Sequence, residues 1–258
     1  MGEPNAHKEL IFQMIKAVIF DLDDTLCNAS EVMEKTLRTV FEENLSHYPD
    51  KTVEEMVALN KQAFKEIFLD PSISVPSASI LIWFRIFELM GKKPPIKAIM
   101  RIVEGYWEEN TKQLKTTPGT FELLDYLKES GIKIGVLTNG AFIGQAKKLA
   151  ILGLDEKIDC FVASDMCLCD KPDPKAFLYI LSKMDALPHE AIMVGDRIDN
   201  DINGAKRLGM KGILVGNKGI SGNNSADLVV QNLRDCIPFV ESLSKKIENS
   251  PTFQDFQY

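Results

Sequence analysis

The chain has 258 residues, 45% of them hydrophobic and 26% charged, with 16 Gly, 12 Pro and 5 Cys. Such a composition excludes disordered, collagen-like and low-complexity chains and supplies enough apolar residues for a substantial core. Acidic residues outnumber basic ones, 37 to 30, and a net charge of −7 repels phosphate backbones, which excludes a general nucleic-acid binder.

No apolar run approaches the ~18 residues of a membrane span, and the start of the chain lacks the pattern of a signal peptide. The cysteines are odd in number and contain no C-x-x-C pair. We therefore expect a reduced, cytoplasmic protein with no membrane contact.

Residues 1–13 are polar and irregular and read as an N-terminal extension without a catalytic part. Residues 16–22 (KAVIFDL) form a short apolar run rich in branched side chains, the pattern of a strand buried on both faces. Residues 28–112 carry no such pattern. Their periodicity is helical, interrupted at Pro49, at Asp70-Pro71, at Pro76 and at Pro94-Pro95. Val32, Leu37, Val40 and Phe41 suit one helix, while Ile82, Phe84, Ile86, Phe87 and Leu89 suit another. Strand-like runs then recur at 132–138, 158–163, 191–195, 212–215 and 227–230, with amphipathic stretches at 120–130, 144–152 and 174–184 between them. This alternation predicts an α/β fold, a doubly wound parallel sheet, with a helical insertion leaving the end of the first strand. The insertion is expected over the carboxyl edge of the sheet. Residues 216–225 (GNKGISGNNS) read as a surface loop.

Ligands of parallel sheets bind beyond the carboxyl ends of the strands, so the residues just past each strand are informative. The first strand runs into Asp21-Leu22-Asp23-Asp24-Thr25 and the second into Thr138-Asn139-Gly140. The third leads to Lys171-Pro172-Asp173-Pro174, and the fourth to Gly195-Asp196 and then Asp199, Asn200 and Asp201. Acids, a hydroxyl, an amide and a lysine thus converge on one edge.

Asp21 and Asp23 are two apart, so at a strand end both carboxylates would face the same side. At ~4 Å their repulsion is about 4 kcal/mol for an effective dielectric near 20. Either a divalent cation lies between them or one carboxyl keeps its proton. A hard, oxygen-ligated ion such as Mg2+ suits an acidic cluster lacking His and Cys, with Asp196 as a further ligand. Lys171 supplies the one fixed positive side chain, and Thr138 and Asn139 supply neutral donors. Such a set would bind a phosphoryl group with a carboxylate placed to attack it.

The segments AVIFDLDDTL, VLTNG, CDKPDPKAF and MVGDRIDNDINGAKRLGM resemble the four ordered motifs of the haloacid dehalogenase (HAD) superfamily. The helical insertion resembles that superfamily's type 1 cap in position, size and helicity, as in its phosphatase-rich subfamily I. The resemblance implies a Rossmann-like core at residues 14–27 and 113–258 and a helical cap at 28–112. It implies Asp21 as nucleophile, Asp23 as general acid and base, and Lys171 as the group neutralising Asp21 and the phosphoryl group. Thr138 and the Asn139 backbone N–H would bind the phosphoryl oxygens. Asp21, the Asp23 carbonyl and Asp196 would hold Mg2+, with Asp201 in support. The expected function is a Mg-dependent phosphatase acting on a small phosphorylated metabolite through an aspartyl-phosphate. The alternatives are a phosphomutase of the β-phosphoglucomutase kind and a 2-haloacid dehalogenase. The last lacks the second Asp of the pair, so Asp23 argues against it.

Other conspicuous residues carry blander expectations. Cys167 and Cys169 form a C-x-C, read as small buried side chains rather than a metal or redox site. Cys27 is expected to pack beside the first motif, and His7, His47 and His189 to lie at the surface. Trp83, Phe84, Phe87, Tyr106 and Trp107 are expected as helix core, and Arg85 and Arg101 in surface ion pairs.

Overall fold

The computed structural model describes residues 15–69, 75–216 and 225–244. The expected extension at 1–13 and most of the expected loop at 216–225 lie outside the described residues. The described residues begin with β1 (Ala17–Phe20) and continue through four helices: α1 (Ala29–Glu43), α2 (Val53–Leu69), α3 (Val75–Leu89) and α4 (Ile96–Gln113). Next come α5 (Thr120–Glu129), β2 (Lys133–Thr138), α6 (Phe142–Ile151), β3 (Cys160–Ala163), α7 (Ser164–Cys167) and α8 (Pro174–Met184). The last described elements are β4 (Ala191–Gly195), α9 (Asn203–Arg207), β5 (Lys211–Val215), β6 (Leu228–Val230) and α10 (Ile237–Ser244). None of the described helices is long and apolar enough to cross a membrane.

The strands form one parallel sheet in the order β3-β2-β1-β4-β5-β6. Its central strands are apolar and buried along nearly their whole length because both faces are covered. Val18 and Phe20 of β1 join a core with Leu123, Leu124 and Leu127 of α5, while Ala17 and Ile19 face Phe177, Ile180 and Leu181 of α8. The sheet order reverses at β1, which lies between β2 and β4. Phe20 is in register with Val136 on one side and Val194 on the other, so the ends of these three strands are neighbours. That crevice is where an open α/β sheet binds its ligand.

The strand expected over 16–22 ends at Phe20. Asp21 N still donates to Val194 O at 2.9 Å, but the Leu22 carbonyl then receives both Leu26 N and Cys27 N, closing a tight loop. Asp24 takes a left-handed φ of 60° there, and its Oδ1 accepts from Ser30 N at 2.9 Å. An acid at such a position suits the left-handed region better than most side chains.

Helices α1–α4 carry a core of their own, centred on Phe41, Tyr48, Met56, Trp83, Ile86 and Ile102. The two chain segments that connect them to the sheet run side by side. Asn28 N donates to Lys115 O, Lys115 N to Asn28 Oδ1, and Thr117 N to Leu26 O, at 3.2, 2.8 and 2.9 Å. Helix α6 begins two residues earlier than its periodicity predicts. Asp165, distant in sequence, accepts from Phe142 N at 2.8 Å and so caps a helix whose preceding residue is an alanine.

Candidate active site

Three carboxylates gather at the carboxyl edge of β1 and β4. Asp21, Asp196 and Asp201 are all buried and present oxygens within 4.8 Å of one another. The first two follow their strands directly. Asp201 is brought back to the edge by the single wide helical turn Ile198–Ile202, and its Oδ2 accepts from Arg197 N at 3.0 Å. Asp199, in the same acidic run, is exposed and stays outside the group. Thr25, fully buried, brings its Oγ1 to 3.5 Å from Asp21 Oδ2, the outer limit of a hydrogen bond.

Lys171 Nζ stands between two of these acids, 2.6 Å from Asp21 Oδ1 and 2.7 Å from Asp201 Oδ1, and only 4% of the residue is exposed. Its backbone is held by Asn139, whose side-chain amide donates to Lys171 O at 2.9 Å and accepts from Lys171 N at 2.8 Å. The Asn139 side chain thus positions the lysine, a task not expected from its motif. Downstream, Asp173 caps α8 by accepting from Lys175 N at 2.9 Å, with Pro174 at the first helical position.

The Asp21 carboxyl is raised to about 7 in all: burial pushes it up most, Lys171 pulls it down, and Asp201 and Asp23 push it up. Burial alone would lower the Lys171 ammonium, but Asp21 and Asp201 outweigh that and hold it above its ordinary value. Both directions describe one imbalance, two buried acids sharing one lysine with a third acid close by. The donor set is all oxygen and carries excess negative charge, so it fits a hard divalent cation.

The carboxylate of Asp23 is not part of this group. It turns toward α6, where Lys148 Nζ lies 2.6 Å from Oδ1 and Gln145 Nε2 lies 3.1 Å from Oδ2. The expectation of a single fixed positive side chain at the site is thereby corrected, because Lys148 is a second. Thr138, at the end of β2 and 1% exposed, receives the Gln145 amide on Oγ1 at 2.6 Å.

Helix α4 meets this region. The Trp107 ring lies under Lys147 Nζ, 5.2 Å from its centroid, and a Cβ added to Gly144 would lie 2.9 Å from the same ring. Tyr106 packs edge-on against Trp107, and burial pushes its phenol up to about 12, with the Asp23 carboxylate adding to the rise. Trp83 and Phe87 are core, as expected, and Arg85 pairs with Glu66 and Glu88. Cys167 and Cys169 are half-buried, with sulfurs 3.1 Å apart.

Gly195 sets how closely Asp201 can approach. A Cβ there would lie 2.4 Å from the Asp201 carboxyl carbon, and Asp201 cannot retreat without releasing Lys171 and Arg197 N. Gly195→Ala should therefore weaken divalent-cation affinity by ~10–100-fold, the usual size of such an effect from a group supporting the ligands. Titration calorimetry with Mg2+ checks this, and unchanged affinity would place the cation away from Asp201.

Over residues 18–215 the chain matches the family of haloacid dehalogenase-like hydrolases. It is 33% identical over 201 residues to a glyceraldehyde 3-phosphate phosphatase of Methanopyrus kandleri, across 76% of this chain and 82% of that protein. A glyceraldehyde 3-phosphate phosphatase of Methanocaldococcus jannaschii is 31% identical over 235 residues, 90% of this chain and 100% of that one. Among solved structures, a HAD phosphatase from Thermococcus onnurineus aligns with a TM-score of 0.65 at 26% identity, covering 88% of this chain and 98% of its own. A 2-haloacid dehalogenase from Pseudomonas syringae pv. Tomato aligns at 0.69 with 25% identity, covering 89% and 99%.

Proposed function

We infer the reaction from one premise: the chain belongs to the haloacid dehalogenase-like hydrolase family. It is a phosphatase, a hydrolase of phosphate esters like the relatives it resembles. The observation that carries the mechanism is the Lys171 ammonium between Asp21 and Asp201, two of the three buried acids that Asp196 completes. A lysine so placed steadies a carboxylate that must meet an incoming dianion.

In this reading an Asp21 oxygen attacks phosphorus and the ester oxygen leaves, taking a proton from Asp23. The product on the protein is an aspartyl-phosphate. Asp23 then takes a proton from water, the water oxygen attacks phosphorus, and Asp21 is released with inorganic phosphate. The Thr138 hydroxyl and the Asn139 backbone N–H donate to the phosphoryl oxygens, and Lys171 offsets their charge throughout. Asp21, Asp196, Asp201 and the Asp23 carbonyl would hold Mg2+. When bound, the cation supplies fixed positive charge against the phosphoryl oxygens and the acids around them.

We read residues 14–27 and 113–258 as the catalytic core and 28–112 as the cap, whose inner face meets the leaving group near Tyr106 and Trp107. The paired connections at Asn28 and Lys115 support that division, as does the separate core of α1–α4. The substrate is a small phosphate monoester, and triose phosphates come first because relatives carry that name. Five free cysteines support a reducing, cytoplasmic setting. Asp23 favours phosphoryl transfer over carbon–halogen cleavage.

The test is phosphate release from triose, sugar and glycolate phosphates and nucleoside monophosphates, with Mg2+ and with excess EDTA. Turnover should need the cation, with Ca2+ a poor substitute because it takes more ligands in looser geometry. Undiminished turnover in EDTA would refute the mechanism.

A further inference from the structure

Helix α6 reaches the site from a direction that the four motifs do not announce. Gln145 is 4% exposed, and its amide nitrogen lies among acceptors: Asp23 Oδ2 at 3.1 Å, Asn139 O at 3.0 Å and Thr138 Oγ1 at 2.6 Å. A carboxylate and a carbonyl only accept, so the NH2 end of Gln145 must face them. By donating to Thr138 Oγ1 it leaves that hydroxyl's own proton for another acceptor. One turn later, Lys148 Nζ lies 2.6 Å from Asp23 Oδ1, with 13% of its side chain exposed against 38% for Asp23. Each oxygen of Asp23 is thus held by a different side chain of one helix.

We propose that Gln145 and Lys148 are positioning residues, which hold the Asp23 carboxylate where it takes a proton from water in the second half of the reaction. The proposal rests on the reading of Asp23 as the acid–base residue. Asp23 sits on a loop after the strand has ended, and its side chain is more than a third exposed, so packing alone does not fix its direction. A base must lie within hydrogen-bond reach of the water it activates, and a misplacement of ~1 Å can lower a rate by ~10²-fold.

The predicted signature lies in the order of events. With p-nitrophenyl phosphate the leaving group needs little help, so attack by Asp21 proceeds whether or not Asp23 is well placed. Breakdown of the aspartyl-phosphate does not. Lys148→Met keeps the length of the stem, and Gln145→Glu keeps shape while turning a carboxylate toward Asp23. Lys148→Met should release a rapid burst of p-nitrophenol, then turn over ~10–100-fold more slowly than the parent while phosphoenzyme accumulates; Gln145→Glu should slow likewise after a smaller burst, because its carboxylate also draws the Thr138 proton. Lys148→Arg should restore turnover to within ~3-fold, since it keeps a cationic donor.

Rapid-quench measurement of phosphoenzyme, on variants whose fold is confirmed by circular dichroism, decides the matter. Equal losses in burst and turnover, or turnover at the parent rate, would overturn the positioning role. Asp23→Asn is run beside them. If that variant turns over like the parent, the acid–base assignment of Asp23 has failed; if it stalls as phosphoenzyme while the α6 variants do not, only the present inference has.

Discussion

Asp21→Asn is expected to abolish phosphate release while leaving the cation-free protein at least as stable as the parent near neutral pH. The amide cannot attack phosphorus, so no aspartyl-phosphate forms. The stability half comes from the direction in which Asp21 titrates. Its carboxyl rises from an ordinary 3.8 to about 7, mainly through burial. An acid raised on folding contributes stability while protonated, fully below its unfolded value, and loses it as the pH climbs through the folded one. In the parent that loss falls between about pH 4 and about pH 7, and the uncharged amide escapes it. Lys171 is not stranded by the change, because Asp201 remains 2.7 Å away. Melting temperatures of both proteins in EDTA, at about pH 5 and about pH 8, should therefore diverge in favour of the variant at the higher pH. A parent more stable than the variant at that pH would mean that Lys171 fully relieves the crowding of acids.

Most of the fold was legible because a parallel sheet buries both faces and writes its strands as continuous apolar runs. The site was legible for the same reason. Each strand that ends at the crevice runs at once into its polar residue, and β1 lies between β2 and β4, so Asp21, Thr138 and Asp196 had to converge. Local geometry was harder to read. Nothing in the run Asp196, Asp199, Asp201 tells which acids turn inward; the wide turn at Ile198–Ile202 buries Asp201 and leaves Asp199 exposed. Asp21 and Asp23 look alike in the sequence, yet only Asp21 joins the three buried acids, while Asp23, beyond the end of the strand at Phe20, pairs with Lys148 and Gln145.

Gln145 and Lys148 were missed for a different reason. Two polar residues three apart on an amphipathic helix look like its solvated face. Their one distinguishing mark is place: the opening turns of the helix after Thr138-Asn139, at the ligand-binding edge. Asn139 shows the same limit, since a motif reports that an amide is needed but not that it clasps the backbone of a lysine thirty-odd residues away.

Lys171→Met separates charge from packing at the centre of this arrangement. Methionine fills much of the same volume, so contacts with the stem are largely kept. What disappears is the ammonium shared by Asp21 and Asp201. Removing one partner of a buried ion pair costs about 3–5 kcal/mol because the other charge stays buried and unpaired. Here two carboxylates lose the same partner, with Asp196 close by. Without Lys171 the Asp21 carboxyl should rise further, since the lysine is the main influence pulling it down. The variant would thus be nearest the parent's stability at low pH, where Asp21 takes up its proton, and fall away as the pH rises. Urea unfolding in EDTA should show this loss at about pH 8 and a smaller one at about pH 5. Mg2+ should restore part of the stability by supplying charge to the same acids, yet not the activity, because the phosphoryl group would still lack its lysine. An equal loss at both pH values would trace the effect to packing, and recovery of turnover by Mg2+ alone would show that Lys171 has no part in the reaction.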